Sequence, residues 1–340
     1  MTSLVVDAFV GRNPLDEAAV ASSFMKAAVI SNGLLAVQDR PDPVPGLGEI
    51  LVRVRAAGLN NADRMQIAGF YPAPAGSPAD IPGLEIAGEV VGVGPGVFRY
   101  NVGDRVMAVV GGGGLAEQLA IHERTAIPVP ASVDWLAAGG FPEAFTTAHD
   151  ALVTQCALTS GERVVVHGAA GGVGIAGVQI AAVMGATVVA TVRNADLRPS
   201  VEALAPGSVL AVDPSSFVDH GPFDVVLELV GASNLSDNLR ALTIGGRISV
   251  IGVGGGGSKA EVDLLAIMSK RAKLMGSTLR ARPLEQKADA AIRVEKQLLG
   301  HFASGRLQVP IVESFPLAQV NEAYARFAAG AKFGKIVITP

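Results

Sequence analysis

Between Val164 and Val192 the chain carries no Asp, Glu, Lys or Arg, and this uncharged run of 29 residues constrains the fold more than any other feature. Its length alone would suit a membrane helix. Its composition does not: six glycines interrupt the run, four of them between Gly168 and Gly174, and Thr187 to Val192 is β-branched almost throughout. Glycine weakens helix interiors and marks turns, whereas Val and Thr favour strands. The run reads as strand, glycine turn, short helix and second strand.

In RVVVHGAAGGVGIAGVQIA a strand ends at His167 and a helix starts near Gly174. The first N–H groups of such a helix are unpaired, and its dipole favours an anion. Gly171 lets the backbone approach a pyrophosphate, and Gly174 permits tight packing of helix on strand. Against G-x-G-x-x-G the first position is Ala169, with Gly168 one residue earlier. A strand on either side turns this pattern towards dinucleotide binding, with a purely steric turn as the alternative. An acid at the tip of the second strand would bind the adenosine ribose diol and repel a 2′-phosphate. This chain has Arg193 there and Arg198 shortly after, while Asp196 lies past the tip where it could cap a helix. The expected cofactor is NADPH; the alternative for Arg193 is a solvated surface residue.

The rest of the chain has two textures. From Met25 to about Pro130 it is strands and turns, with Ile50, Val52, Val54 and Ala56 on one face of a period-two segment. That describes an antiparallel, barrel-like domain. After Ala148 strands alternate with helices, at 163–167, 187–192, 208–212, 224–229, 247–252 and 273–277, which builds a doubly wound parallel sheet. A long helix from Pro283, a short strand near Val309, a helix from Leu317 to Ala329 and a closing strand Lys335–Ile338 return to the first domain. Residues 1–24 read as a poorly structured N-terminal extension. The lone Cys156 excludes an intramolecular disulfide or a four-cysteine zinc site. It reads as a structural thiol of an intracellular, cytoplasmic protein. A net charge of −4, without long blocks of either sign, gives no footprint for nucleic acid or an anionic membrane.

Five segments carry a family resemblance: GLNNADRMQIAGFYPAPAG (58–76), GLEIAGEVVGVGPGV (83–97), NVGDRVMA (101–108), FPEAFTTAHDAL (141–152) and HGAAGGVGIAGVQIA (167–181). Over residues 25–340 the chain resembles zinc-independent medium-chain dehydrogenase/reductases of the quinone oxidoreductase (zeta-crystallin-like) branch. The NADRMQ and YPAPAG stretches and Pro142-Glu143-Ala144 are most similar to the stress-inducible subgroup. The resemblance implies a GroES-like antiparallel β-barrel domain from residues 25–145 and 282–340. It implies a Rossmann domain binding NADPH at 146–281, and a homodimer paired through the sixth strands. Zinc-dependent relatives carry Cys where this chain has Asn60, and Gly-His-Glu where it has Gly83-Leu84-Glu85. Their four-cysteine lobe is absent, which implies chemistry without a metal.

What the resemblance implies for activity is NADPH-dependent reduction of a quinone. The alternatives are reduction of an alkenal or enone double bond, and a non-catalytic NADPH-binding role. Tyr71 is the expected donor to substrate oxygen, or else packs beside Pro72 and Pro74. Asn60 and Asp63 stand as further catalytic candidates; the same pair also fits a helix N-cap. Gly171, Gly172, Val173 and Gly174 carry over to the pyrophosphate turn, and Arg193 with Arg198 to the 2′-phosphate. A Lys and a Tyr that bind this phosphate in some relatives correspond to Leu197 and about Asp213. Gly231, Ile251 and Gly252 fall at the ends of the fourth and fifth strands. Thr147, Leu279 and Arg280 match segments near the nicotinamide, and Lys335 a basic position near the cofactor.

Overall fold

A computed structural model of the chain describes residues 23–340. The expected N-terminal extension lies almost wholly outside the described residues, and Phe24 already opens the first strand. Strands β1 (Phe24–Ser31) and β2 (Leu34–Pro41) form a hairpin. In β3 (Glu49–Gly58) the side chains of Ile50, Val52, Val54 and Ala56 are buried, as their alternation with polar residues requires. Helix α1 (Asn61–Ile67) follows, then β4 (Glu85–Val93), β5 (Arg105–Val109), β6 (Gln118–His122) and β7 (Ala126–Pro128). All pairings among β3 to β7 are antiparallel.

Helices α2 (Trp135–Gly139) and α3 (Pro142–His149) lead out of this sheet, and the chain widens into a π-helical turn over Asp150–Gln155. The second unit contains β8 (Arg163–Val166), α4 (Gly172–Val183), β9 (Thr187–Thr191), α5 (Arg198–Glu202), β10 (Val209–Val212) and β11 (Phe223–Glu228). It continues through α6 (Leu235–Ala241), β12 (Leu242–Val250), α7 (Leu264–Lys270) and β13 (Lys273–Gly276). The sheet is parallel, in the order β10-β9-β8-β11-β12-β13. Its order reverses between β8 and β11, and ligands of such sheets bind outside the C-terminal strand ends at that point. One strand differs from the sequence reading. β12 begins at Leu242 instead of Arg247, because Gly245 and Gly246 are absorbed by a register shift opposite Phe223 and Val225 rather than forming a turn before the strand.

Helix α8 (Leu284–Ala303), β14 (Ile311–Pro316), α9 (Val320–Ala328) and β15 (Lys335–Thr339) close the chain. β14 and β15 are parallel, and β15 pairs antiparallel with β3 at Ala57 and Gly58, giving the order β14-β15-β3-β4-β5-β7 with β6 also on β3. The last strand thus delivers Lys335 beside the Gly58–Asn60 segment. Core packing joins the two sheets. Ala87, Met107 and Ile127 share a cluster with Val164, Val166 and Ala176 through α3, where Phe141 stacks on Phe145 and on Phe302 at 4.3 Å each. Among the described residues no helix is long and apolar enough to cross a membrane.

Candidate active site

Helix α4 starts from Gly171 with no side-chain cap, so the N–H groups of Gly172, Val173 and Gly174 have no acceptor within the helix. A Cβ at Gly174 would lie 2.4 Å from Gly168 O, so the turn and helix can meet only with glycine there. A Cβ at Gly171 would meet nothing closer than Gly168 O at 3.5 Å. The protein's own packing therefore does not demand glycine at that position, which leaves an open face on the turn. An anion held by three free N–H groups at a helix start suits a pyrophosphate.

A buried polar chain supports the turn from below. Glu228, at the end of β11, accepts at Oε1 from the N–H groups of Val230 (2.7 Å) and Gly231 (2.8 Å). At Oε2 it accepts from Asn238 Nδ2 at 2.7 Å. Asn238 Oδ1 therefore accepts from His167 Nε2–H at 2.7 Å, and His167 Nδ1 accepts from the Thr191 hydroxyl at 3.1 Å. Burial lowers the His167 pKa, which favours the neutral imidazole that this arrangement needs. Gly231 is thereby fixed, while the N–H groups of Ile251 and Gly252 donate to Glu228 O at 2.9 and 3.2 Å. These expected cofactor positions gather at the ends of β11 and β12.

The two arginines past β9 differ. Arg198 donates to Val192 O at 3.2 Å and to Asp213 at 2.8 Å, which anchors α5 to the strand ends. Arg193 is exposed at the strand tip.

The third group of residues forms a charged cluster where α1, β4, α3 and β15 converge. Lys335 Nζ donates to Leu59 O at 2.9 Å and to Asn60 Oδ1 at 2.8 Å, and lies 2.6 Å from Glu85 Oε1. Three acceptors occupy its three protons. The side chain is 5% exposed and packs beneath Gly172, whose Cβ would lie 3.0 Å from Lys335 Cδ. Expected on the cofactor, Lys335 instead binds inward. Glu85 is fully buried, accepts from Asn60 Nδ2 at 2.9 Å and from the Glu143 N–H at 2.9 Å. Gly58 makes room for it, since a Cβ there would stand 2.3 Å from Glu85 Oε1.

Asn60 and Asp63 were catalytic candidates that also fitted a cap, and the structure has the capping box. Asp63 accepts from Asn60 N at 2.8 Å and Gly83 N at 3.3 Å with no exposed surface. Burial pushes its carboxyl up to about 6. A carboxyl enclosed by backbone donors cannot reach a substrate, so the geometry corrects the expectation of a catalytic role for Asp63. Asn60 remains at the edge of the cluster through its Lys335 and Glu85 contacts.

Arg280 also turns away from its expected place at the cofactor. It donates to Gly111 O at 2.8 Å, to Tyr71 O at 2.9 Å and to Gln66 Oε1. Its guanidinium lies 5.0 Å from the Tyr71 ring centroid. It clamps the Tyr71 segment to the loop after β13. Tyr71 is half-buried, and burial raises its pKa against the opposing charge of Arg280. Leu279 is buried and lines a small cavity with Val109, Ile127 and Thr146. Thr147 is buried one turn after Glu143.

Glu143 is the residue that sequence reasoning missed. It sits in the first turn of α3, partly accessible, and burial followed by the charge of Glu85 pushes its carboxyl up to about 8. Its signal was present in Pro142-Glu143-Ala144, but a glutamate after a proline at a helix start is also ordinary helix chemistry. Glu85 and His167 likewise lie within the resemblance motifs without an assigned role, and Glu228 lies only within an expected strand. Among the described residues no group of three His, Cys, Asp or Glu side chains is placed to hold a metal.

Two family descriptions match the chain: the alcohol dehydrogenase GroES-like domain at residues 46–131 and the zinc-binding dehydrogenase domain at residues 184–338. The polyketide synthase GfsB of Streptomyces halstedii is 34% identical over 86% of this chain, which spans only 5% of that protein's length. Quinone oxidoreductase of Homo sapiens is 28% identical over 87% of this chain and 90% of its own. The crystal structure of a probable oxidoreductase from Mycobacterium abscessus has a TM-score of 0.80 at 30% identity, covering 94% of this chain and 100% of its own.

Proposed function

The chain belongs to the medium-chain dehydrogenase/reductase family, in its quinone oxidoreductase branch, and on that premise we propose that it is an NADPH-dependent quinone reductase working without a metal. The observation that carries this reading is the Lys335 ammonium seated 2.6 Å from Glu85 and 2.8 Å from Asn60. Zinc-dependent relatives place ligands at positions matching Asn60 and Leu84. An aliphatic side chain, a carboxamide and a carboxylate already neutralised by an ammonium make a poor donor set for zinc. A second cation there would be repelled by Lys335.

The residues that would hold the cofactor are the N–H groups of Gly172, Val173 and Gly174 for its pyrophosphate, and Arg193 for its 2′-phosphate. The strand-end residues Gly231, Ile251 and Gly252, with Thr147 across the cleft, would border it. When bound, the reduced nicotinamide supplies a hydride from C4, which no side chain can provide. Tyr71 would hydrogen-bond the acceptor oxygen where negative charge develops. Arg280 keeps that tyrosine in place.

The second reading is reduction of an enone or alkenal double bond. The match to a protein named for polyketide synthesis favours it. A cytoplasmic location and a homodimer belong to the same proposal. The deciding experiment follows NADPH and NADH oxidation in parallel with benzoquinones and α,β-unsaturated ketones as acceptors. The proposal expects NADPH-dependent turnover of benzoquinones above that of the ketones. The reverse ranking selects the second reading, and tight NADPH binding without turnover on any acceptor indicates a non-catalytic role.

A further inference from the structure

Reduction of a quinone or an enone by hydride leaves an oxyanion that must receive a proton, and Glu143 is the partly accessible acid in the charged cluster. Six side chains define its setting. Its own N–H donates to Glu85 Oε2 at 2.9 Å, which fixes the first turn of α3 against β4. Glu85 is held by the Lys335 ammonium and by Asn60, so its negative charge has fixed partners. The charges of Asp63 on α1 and Lys335 on β15 also act on the Glu143 carboxyl. Tyr71 and Arg280 both feel the Glu143 charge. Thr147, one turn along α3, is its neighbour on the same helix face, with Thr147 Oγ1 3.5 Å from Glu143 Oε1.

The negative charge of Glu85 disfavours ionisation of Glu143 and adds to the effect of burial. Glu85 has the ammonium. Glu143 has neither a cationic partner of its own nor full burial, so it can carry a proton and exchange it with the cleft. Asp63 fails the second condition, because it is fully buried and bonded to backbone donors.

We propose that Glu143 is the proton donor of the reduction, delivering its carboxyl proton to the acceptor oxygen. The inference rests on the reading of the chain as a reductase. The step balances simply. The hydride supplied by the reduced dinucleotide brings two electrons to the acceptor. The Glu143 O–H bond breaks with its electron pair left on the carboxylate, and a new O–H bond forms on the acceptor. The resulting carboxylate then recovers a proton from solvent water. Tyr71 in this scheme orients the oxygen by a hydrogen bond, and Lys335 acts at one remove through its contact with Glu85. Desolvation, reinforced by Glu85, agrees with this division of roles, since it keeps the Glu143 carboxyl protonated up to about pH 8.

Two measurements test the proposal. In the cofactor-free protein with 13C-labelled glutamate carboxyls, one resonance should titrate with a midpoint near 8 and vanish in Glu143→Gln. A Glu143 resonance titrating in the ordinary range of about 4–5 overturns the proposal. In turnover with the best acceptor, Glu143→Gln should lower kcat about 100-fold, the low end of general-acid effects. The wild type should lose activity above about pH 8, and Glu143→Gln should abolish that alkaline fall. Glu143→Asp, which keeps an acid one methylene shorter, should keep that fall at a reduced rate. A Glu143→Gln enzyme with wild-type kcat and an unchanged pH profile sinks the proposal alone. A wild type that reduces neither acceptor class sinks the reductase reading, and the proposal with it.

Discussion

Lys335, the first residue of the last strand, lies 2.6 Å from Glu85, the first residue of β4, and both side chains are buried. This pair ties the C-terminal strand to the barrel beneath the start of α4. Breaking a buried ion pair from one side leaves an uncompensated charge, which typically costs about 3–5 kcal/mol. Lys335→Met should therefore lower the urea-unfolding free energy by about that amount, and Lys335→Met with Glu85→Gln should recover part of it. A loss below about 1 kcal/mol in the single variant would place the pair among weak surface contacts.

That contact also marks the limit of what the sequence makes legible. The alternation in β3, the glycine turn and the order of strands after Ala148 are local or periodic, so they can be read directly. Lys335 and Asn60 are 275 positions apart, and nothing local tells that the last strand pairs with β3. Arg280 illustrates the same point, because its acceptors on Gln66 and Gly111 come from distant segments. Glu143 was legible as a residue type but not as a site. Its character comes from Glu85, which only the packing of α3 on β4 brings near.

The raised carboxyl of Glu143 makes stability depend on pH. Burial and then Glu85 move it from 4.5 to about 8, so the folded chain holds this proton more tightly than the unfolded chain does. Such a group stabilises the fold fully below the unfolded pKa, and that stabilisation declines as pH rises through the folded one. Between pH 4.5 and about 8 the wild type should lose unfolding free energy relative to Glu143→Gln. Asp63 shifts in the same direction, from 3.8 to about 6, but it is present in both proteins and cancels. Paired urea titrations at the two ends of the window measure the difference. A gap that stays constant or runs the other way would contradict the placement of Glu143.

Arg193 and Arg198 separate under the same test of cofactor choice. Arg198 is engaged by Val192 and Asp213, whereas Arg193 is exposed at the β9 tip. A charge-assisted hydrogen bond to phosphate is worth about 1.5–3 kcal/mol, or roughly 10- to 100-fold. Arg193→Asp should lower kcat/KM for NADPH by that factor while leaving NADH nearly unaffected. Equal losses with both cofactors would remove Arg193 from the 2′-phosphate.

The outer edge of the parallel sheet predicts an association. β13 is the terminal strand, and its Leu274 with Leu264, Leu265 and Met268 of α7 are each 44% exposed or more. An apolar patch at an open sheet edge invites pairing with a second copy. Light scattering on the purified protein should give a dimer, and Met268→Asp should shift it towards monomer. A monomeric wild type, or a variant that stays dimeric, argues against this surface.

Tyr71 allows packing and hydrogen bonding to be tested separately. Arg280 binds its carbonyl oxygen and lies over its ring, and neither contact involves the hydroxyl. Tyr71→Phe therefore keeps the ring and the backbone clamp while removing only the proposed donor to the acceptor oxygen. Preorganised donors to a developing oxyanion are worth about 100- to 1,000-fold in kcat. With Glu143 still supplying the proton, the loss should fall near the lower end of that range. The dissociation constant for NADPH, measured by fluorescence without an acceptor, should stay within about twofold, because the proposed cofactor contacts do not include Tyr71. Unchanged kcat would mean that Tyr71 only packs beside Pro72 and Pro74. A parallel loss of cofactor affinity would mean that the substitution had loosened the Arg280 clamp on Tyr71 and Gly111.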